Sequence, residues 1–344
     1  MATIRDVSKK AGVSVATASR VVNSTQWVAP ETRARVIDAM DALGYQPNSY
    51  AKALATNRSD ILGMVVGDLS GPFFGDLMAR VELEARQQHR HLLITSGGLN
   101  REEELDAVDF LLRRQVDALI LHVDSMTDAD LHALTRRTET PIVLINRFVP
   151  ELKDQCIHVN NELGGRKAVE HLLAQGHTDI ACMTGPLYKS DSRARLHGYR
   201  QALEGAGLTY SESLVVEADY MEPGGSDAMA RLLDRGHPIT AVACGNDLMA
   251  YGAIRLLKDR GLSVPGDVAV TGYDDIVMSG YFEPGLTTIH VPVGDMGKQA
   301  AQLAVALAEK RVADVHHQFN PDLIIRDSVQ PLDSSGHKKK IHSL

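Results

Sequence analysis

The chain has 344 residues, 44% of them hydrophobic and 5% aromatic, which is more than one ordinary domain and enough to bury substantial cores. No run approaches the ~18 consecutive apolar residues of a membrane span. Arg5, Asp6, Lys9 and Lys10 break up any early leader-like stretch, and Cys156, Cys182 and Cys244 lack the CxxC spacing of a zinc site. The net charge of −8 is uneven: residues 1–60 hold eight Lys/Arg against five Asp/Glu, a balance of +3, leaving 28 against 39, or −11, in the rest. Such a basic head on an acidic body fits a head that meets phosphate.

In chain order, TIRDVSKKAGVSVATASRVVN (3–23) reads as a helix-turn-helix. Thr3 can cap a first helix with Asp6 completing a capping box, and Ile4, Val7 and Ala11 share one face. Gly12 permits the tight turn, and Ser14 caps a second helix whose Ala18, Val21 and Val22 face inward. The outward residues are Val15, Ala16, Thr17, Ser19 and Arg20, short side chains and hydroxyls with one guanidinium suited to a DNA groove. Two ordinary amphipathic helices are the plain alternative. PETRARVIDAMDAL (30–43) follows as a third helix, with Val36, Ile37, Met40 and Leu43 inward and Gly44 ending it. Residues 1–45 are thus expected to form an all-α headpiece. Residues 46–59 form a polar hinge with a helix-capable segment at 50–55 that can fold on binding.

From Ile61 the pattern changes to short apolar runs alternating with amphipathic stretches. Strands are expected at 61–67, 91–96, 118–123 and 141–146, then at 179–185, 214–218, 240–245 and 268–273. Helices are expected at 101–114, 162–175, 191–206, 246–260 and 294–310. Two sets of about four βα units predict an α/β body of two doubly wound lobes over 60–330. The tail 331–344 is polar, is expected to be disordered, and lacks the heptads of a tetramerising helix.

GVSVATASRVVN (12–23) and YQPNSYAKALATNRS (45–59) resemble the headpiece and hinge of the lac and galactose repressor family. The likeness runs on through VVGDLSGPFFGDL (65–77), VLINR (143–147), GHTDIACMTGP (176–186), AVACGNDLMAYGAI (241–254), VTGYDD (270–275) and PGLTTIHVP (284–292). It covers residues 2–330 and leans to the galactose repressor and isorepressor type. It implies a periplasmic-binding-protein-like body whose chain crosses between lobes near 158–162, 288–292 and 317–322. It implies that Val15, Ala16 and Arg20 read bases, and that Thr3, Ser14, Thr17, Ser19, Asn23, Thr32, Tyr45 and Asn48 contact phosphates. Leu54 matches the hinge leucine that wedges into the minor groove, although core packing is the simpler role for a leucine. Ala18, often Val in relatives, shrinks one packing contact.

In open α/β sheets ligands bind beyond the carboxyl ends of the strands. Asp68, Asn146, Asn246-Asp247 and Asp274-Asp275 all follow predicted strands, and Phe73, Phe74 and Tyr220 offer faces for a pyranose or a flat base. Each acid taken alone can equally cap a helix, and Asp247 and Asp275 are assigned mainly to structure. The resemblance adds Arg195 and His122 to the effector lining, while Val291 and Val293 depart from the polar and aromatic residues of relatives. No nucleotide, zinc-protease or nucleophile-elbow motif is present, and the adjacent Asp274 and Asp275 cannot serve one cleft as a glycosidase pair. His89, His91, His316, His317 and His337 stand in polar contexts better read as solvated than metal-bound.

The expected protein is a cytoplasmic, homodimeric repressor of carbohydrate genes that binds double-stranded operator DNA and a small sugar, with no cofactor, metal or membrane. The same architecture with a nucleobase or other metabolite as co-repressor is the alternative. A sugar receptor or glycoside-acting enzyme is the weaker one.

Overall fold

The computed structural model describes residues 2–23, 27–46 and 58–332. The chain divides into two compact units, residues 1–61 with 115–117 and the remainder. The first carries α1 (Ile4–Ala11), α2 (Val15–Asn23) and α3 (Pro30–Leu43). Thr3 and Asp6 form the reciprocal capping box, and Gly12 and Gly44 end α1 and α3 at φ of 65° and 57°, left-handed angles that favour glycine. Ser14 Oγ accepts from Thr17 N–H at 3.0 Å, capping α2. Val7, Ala11, Ala18, Val21, Val36 and Ala39 form the core, with Ile4, Met40, Leu43 and Tyr45 against it.

Ile37 departs from expectation. It is 43% exposed, because the inward stripe of α3 runs through Val36, Ala39, Met40 and Leu43, and a residue one position on from Val36 is turned about 100° away. Val22 is only half-buried. The expected helix at 50–55, Asn48, Leu54 and the tail from 333 lie outside the described residues.

The body alternates strands and helices as predicted. One lobe contains β1 (Ile61–Val66), α4 (Pro72–Gln87), β2 (His91–Ser96), α5 (Arg101–Arg113), β3 (Ala118–Leu121), α6 (Asp128–Arg137), β4 (Ile142–Ile145) and β5 (Cys156–Val159). The other contains α7 (Asn161–Ala174), β6 (Ile180–Thr184), α8 (Ser190–Gly205), β7 (Val215–Glu217), α9 (Glu222–Asp234), β8 (Ala241–Cys244), α10 (Asp247–Asp259) and β9 (Ala269–Thr271). After β10 (Thr288–His290) the chain returns to the first lobe for α11 (Val293–Ala308) and β11 (Gln318–Phe319), then crosses back at β12 (Asp322–Ile324), antiparallel to β10.

The first-lobe sheet has the order β11-β5-β4-β3-β1-β2 and the second β7-β6-β8-β9, with parallel pairing throughout the second. Two short strands, β5 and β11, extend the first sheet beyond the expected four. Helices cover the sheets, so residues such as Leu62, Met64, Leu119, Ile120, Val242 and Val270 are fully buried, as parallel sheets require. The three cysteines are free and buried. Leu332 N–H donates to Gln175 O at 2.8 Å, so the contacts of the described body reach residue 332.

Candidate nucleic-acid interface and ligand cleft

In the headpiece, α2 presents Val15, Ala16 and Arg20 to solvent, with Thr17 and Ser19 half-buried beside them. Several hydroxyls expected at phosphates already serve the fold. Thr3 Oγ1 donates to Asp6 at 2.7 Å, Ser14 Oγ and Thr17 Oγ1 lie 2.9 Å apart, and Asn23 Nδ2 donates to Ser19 Oγ at 3.2 Å. These bonds fix rotamers and leave oxygen lone pairs open. Thr32 sits in the first turn of α3, whose N-cap Ala29 makes no side-chain bond, and Tyr45 packs on the core. Trp27, between α2 and α3, is 84% exposed and was not singled out from sequence.

In the body, all nine predicted effector residues line one cavity of about 130 Å³. The carboxyl ends of the strands bring them together. From the first lobe come Asp68 after β1, Phe73 and Phe74 at the start of α4, His122 after β3 and Asn146 after β4. From the second come Arg195 on α8, Tyr220 after β7, Asn246 after β8 and Asp274 after β9. A larger groove of about 690 Å³ adjoins it along α4 and the start of α11. That groove shares Phe73 and Asp274 but lacks Asp68, Asn146, Arg195 and Asn246, so the strand-end cavity is the one that gathers the expected residues.

The two walls differ in chemistry. On the first lobe, Phe73, Phe74 and His122 form an edge-to-face cluster, with the His122 ring 5.0 Å from Phe74 and 6.2 Å from Phe73. His122 Nδ1 is buried and unpartnered. Asp68 is an Asx-turn acceptor: Ser70 N–H and Oγ each donate at 2.8 Å and hold its carboxyl below the usual range.

On the second lobe, Arg195 is the hub. Its Nε donates to Asn161 Oδ1 at 2.9 Å, Nη1 donates to Gly245 O, and Asp191 and Asp274 lie 3.5 and 3.7 Å away. Its guanidinium stacks 3.7 Å from the Tyr273 ring centroid. Burial, with the nearby charges of Asp247 and Asp191 adding to it, pushes the Asp274 carboxyl up to about 8 against the pull of Arg195.

Asn246 is both helix cap and brace. Its Oδ1 accepts from Met249 N–H at 2.9 Å and its Nδ2 donates to Tyr220 O at 2.9 Å. Tyr220 stands over Gly185, where a Cβ would come within 2.1 Å of the ring, and its Oη lies 2.8 Å from Ser192 Oγ. Asp247 accepts from Ile276 N–H and Ser279 Oγ, and Asp275 pairs with Arg326 and His290, so both serve structure as expected.

Sequence reasoning missed Asp124, Lys189 and Asp191 in the lining and Asn161 behind it. The same strand-end rule finds Asp124 just past β3, and beyond β6 Lys189 at the N-cap of α8 with Asp191 in its first turn. Lys189 Nζ lies 2.9 Å from Asp124 Oδ2, with both side chains 9% exposed.

The family profile of periplasmic binding protein-like domains matches residues 169–329, and that of bacterial regulatory proteins, lacI family, matches residues 3–48. The HTH-type transcriptional regulator GalR of Salmonella typhimurium is 43% identical over 338 residues, 98% of each chain. The chain belongs to the lacI family of bacterial regulatory proteins. It is a helix-turn-helix, DNA-binding transcriptional repressor. Its fold matches that of a Lac repressor dimer bound to operator and the anti-inducer ONPF, with a TM-score of 0.85 and 30% identity, covering 96% of this chain and 99% of that one. A complex of the regulator CelR with cellobiose is 32% identical with a TM-score of 0.71, covering 96% and 100%. Family membership accounts for a strand-end cavity in a protein whose head is a DNA reader. Among the described residues no group of three or more His, Cys, Asp or Glu could hold a metal, and no helix is long and apolar enough to cross a membrane.

Proposed function

We propose that this lacI-family member is a cytoplasmic, dimeric repressor of carbohydrate-utilisation genes whose operator affinity is coupled to a small sugar bound between the lobes. The observation that carries the reading is the donor–acceptor balance of the cavity. Asp68, Asp124, Asp191 and Asp219 line it, while the N–H groups of Arg195 are engaged by protein and Lys189 is ion-paired. Carboxylates accept hydrogen bonds, so the cavity suits a ligand rich in hydroxyl donors, with Phe73, Phe74 and Tyr220 for its apolar face. A nucleobase needs free donors for its ring nitrogens, and the cavity offers few. Cellobiose in the related CelR complex supports the sugar class.

A binding rather than catalytic role is supported by the divergence of Asp274, which lines the cavity, from Asp275, which Arg326 and His290 hold. The exposed Val277, Met278 and Tyr281 beyond β9 offer an apolar face to a second copy. In the headpiece, Val15, Ala16 and Arg20 are read as base contacts, Thr3, Ser14, Thr17, Ser19, Asn23, Thr32, Tyr45 and Asn48 as phosphate contacts, and Leu54 as the minor-groove wedge.

Calorimetry of the full-length protein with neutral monosaccharides and with nucleobases tests the effector class. Binding of a sugar that also changes operator affinity is the expected result, and binding of nucleobases alone overturns the class. In the same operator assay Arg20→Ala costs about 1–3 kcal/mol and relaxes preference at one base pair per half-site. Equal loss on random DNA reassigns Arg20 to phosphate.

A further inference from the structure

Among the ion pairs of the described residues, Lys189–Asp124 is the one that joins the strand-end loops of the two lobes across the cavity. Both partners are set in place by their own lobes. Glu104 is fully buried and accepts from three successive amides, Asp124 N–H at 2.9 Å, Ser125 N–H at 3.0 Å and Met126 N–H at 2.6 Å. Arg147 grips the same loop through Val123 O and Met126 O. On the other side Lys189 leads into α8, with its ammonium 5.4 Å from the Tyr220 ring centroid. Burial raises the Asp124 carboxyl, but the pull of its neighbours, Lys189 and Arg147 among them, outweighs it and keeps the carboxyl below its ordinary range.

Lys189 therefore has a particular place in the charge pattern. Arg195, the other cation lining the cavity, is locked by Asn161, Gly245, Asp191 and Asp274. Of the lysine and arginine side chains that line the cavity, Lys189 is the one left for an anionic ligand group to recruit, and it is held by a carboxylate of the opposite lobe. We propose that Lys189–Asp124 is a clasp that determines effector specificity: it holds the lobes together and reserves the cavity for uncharged sugars. A sugar acid or sugar phosphate can pair with Lys189 only by taking it from Asp124, which parts the lobes and strands a carboxylate in a dry site. The specificity half of this inference rests on the sugar reading above, whereas the clasp half does not.

Two measurements on the full-length protein separate them. Spin labels at Arg113→Cys and Arg235→Cys, exposed positions in the first and second lobes, report the interlobe distance without ligand. Asp124→Asn and Lys189→Met should each lengthen or broaden that distance, and the exchange Asp124→Lys with Lys189→Asp should restore it. Unchanged distances in both single variants overturn the clasp. Matched probes then test selection: galactose against galacturonate, and glucose against glucose 6-phosphate, by calorimetry. Wild type should prefer each neutral member at least tenfold, and Asp124→Asn should shrink that preference tenfold or more. Equal affinity of wild type for both members, or a preference that Asp124→Asn leaves intact, overturns the specificity role. If no sugar binds wild type, the sugar reading and the specificity role fall together, and the distance measurement alone judges the clasp.

Discussion

The two walls of the cleft are built from the same βα units but hold their polar groups differently. The first lobe offers a ring cluster, Phe73, Phe74 and His122, with a carboxylate at Asp68 whose bonding is local. The second offers a network in which Arg195 ties Asn161, Gly245, Asp191 and Asp274 together before any ligand arrives. One wall is a surface for stacking and the other a prewired electrostatic scaffold. A ligand can gain from the first by contact alone, whereas the second holds its acceptors in position so that little ordering is needed on binding.

The largest effect expected is on the scaffold. Arg195→Ala leaves Asp191 and Asp274 buried beside an empty site, and loss of one member of a buried ion network costs about 3–5 kcal/mol. Urea unfolding of the ligand-free protein should show that loss, together with abolition of the ligand response. Unaltered stability with weakened ligand binding would make Arg195 a simple ligand contact and erase the distinction between the walls.

The walls should also differ in how pH acts on them. Burial raises Asp274 to about 8 and Asp247 to about 6, from an ordinary 3.8. From about 4 up to those values the folded protein holds protons that the unfolded chain has released, so Asp274 and Asp247 make stability fall as pH rises from about 4 to 8. Asp68 and Asp124 of the first lobe are shifted down, so their contribution is present above the ordinary carboxyl range and lost as pH falls below it. Asp274→Asn should flatten the slope of melting temperature between pH 6 and 8. A slope unchanged from wild type would mean that Asp274 is ionised throughout and that both lobes titrate alike.

Much of this was legible in the sequence because the signals are local. Thr3, Asp6, Gly12 and Gly44 declare the helix ends of the headpiece, and apolar runs ending in Asp or Asn mark the strand ends that line the cavity. Ile37 misled because it directly follows Val36 and so lies about 100° off the stripe formed by Val36, Ala39, Met40 and Leu43. β5 and β11 escaped notice because strands of four and two residues are too short to show alternation. Lys189, Asp124 and Asn161 were missed for a different reason. Each acts through a partner distant in sequence, and only closure of the two lobes over the cavity brings Lys189 to Asp124. Side chains whose role is to contact the other lobe leave no periodic trace.

The smallest effect expected separates the two jobs of Asn246. As the N-cap of α10 it satisfies Met249 N–H, a role worth about 1 kcal/mol that serine can fill. As a brace it donates from Nδ2 to Tyr220 O, a reach that the shorter serine hydroxyl lacks. Asn246→Ala should therefore lose about 1 kcal/mol of stability, while Asn246→Ser should stay within about 0.5 kcal/mol of wild type. Tyr220 sits at a φ of 70°, a conformation a tyrosine rarely adopts unless its surroundings hold it there. Without the brace its ring should lose its fixed position over Gly185, and ligand affinity in Asn246→Ser should fall several-fold by calorimetry. If Asn246→Ser binds ligand as wild type does, Asn246 is only a helix cap and the second wall keeps its geometry through Arg195 alone. A several-fold loss at unchanged stability places Asn246 among the residues that aim the scaffold at the ligand.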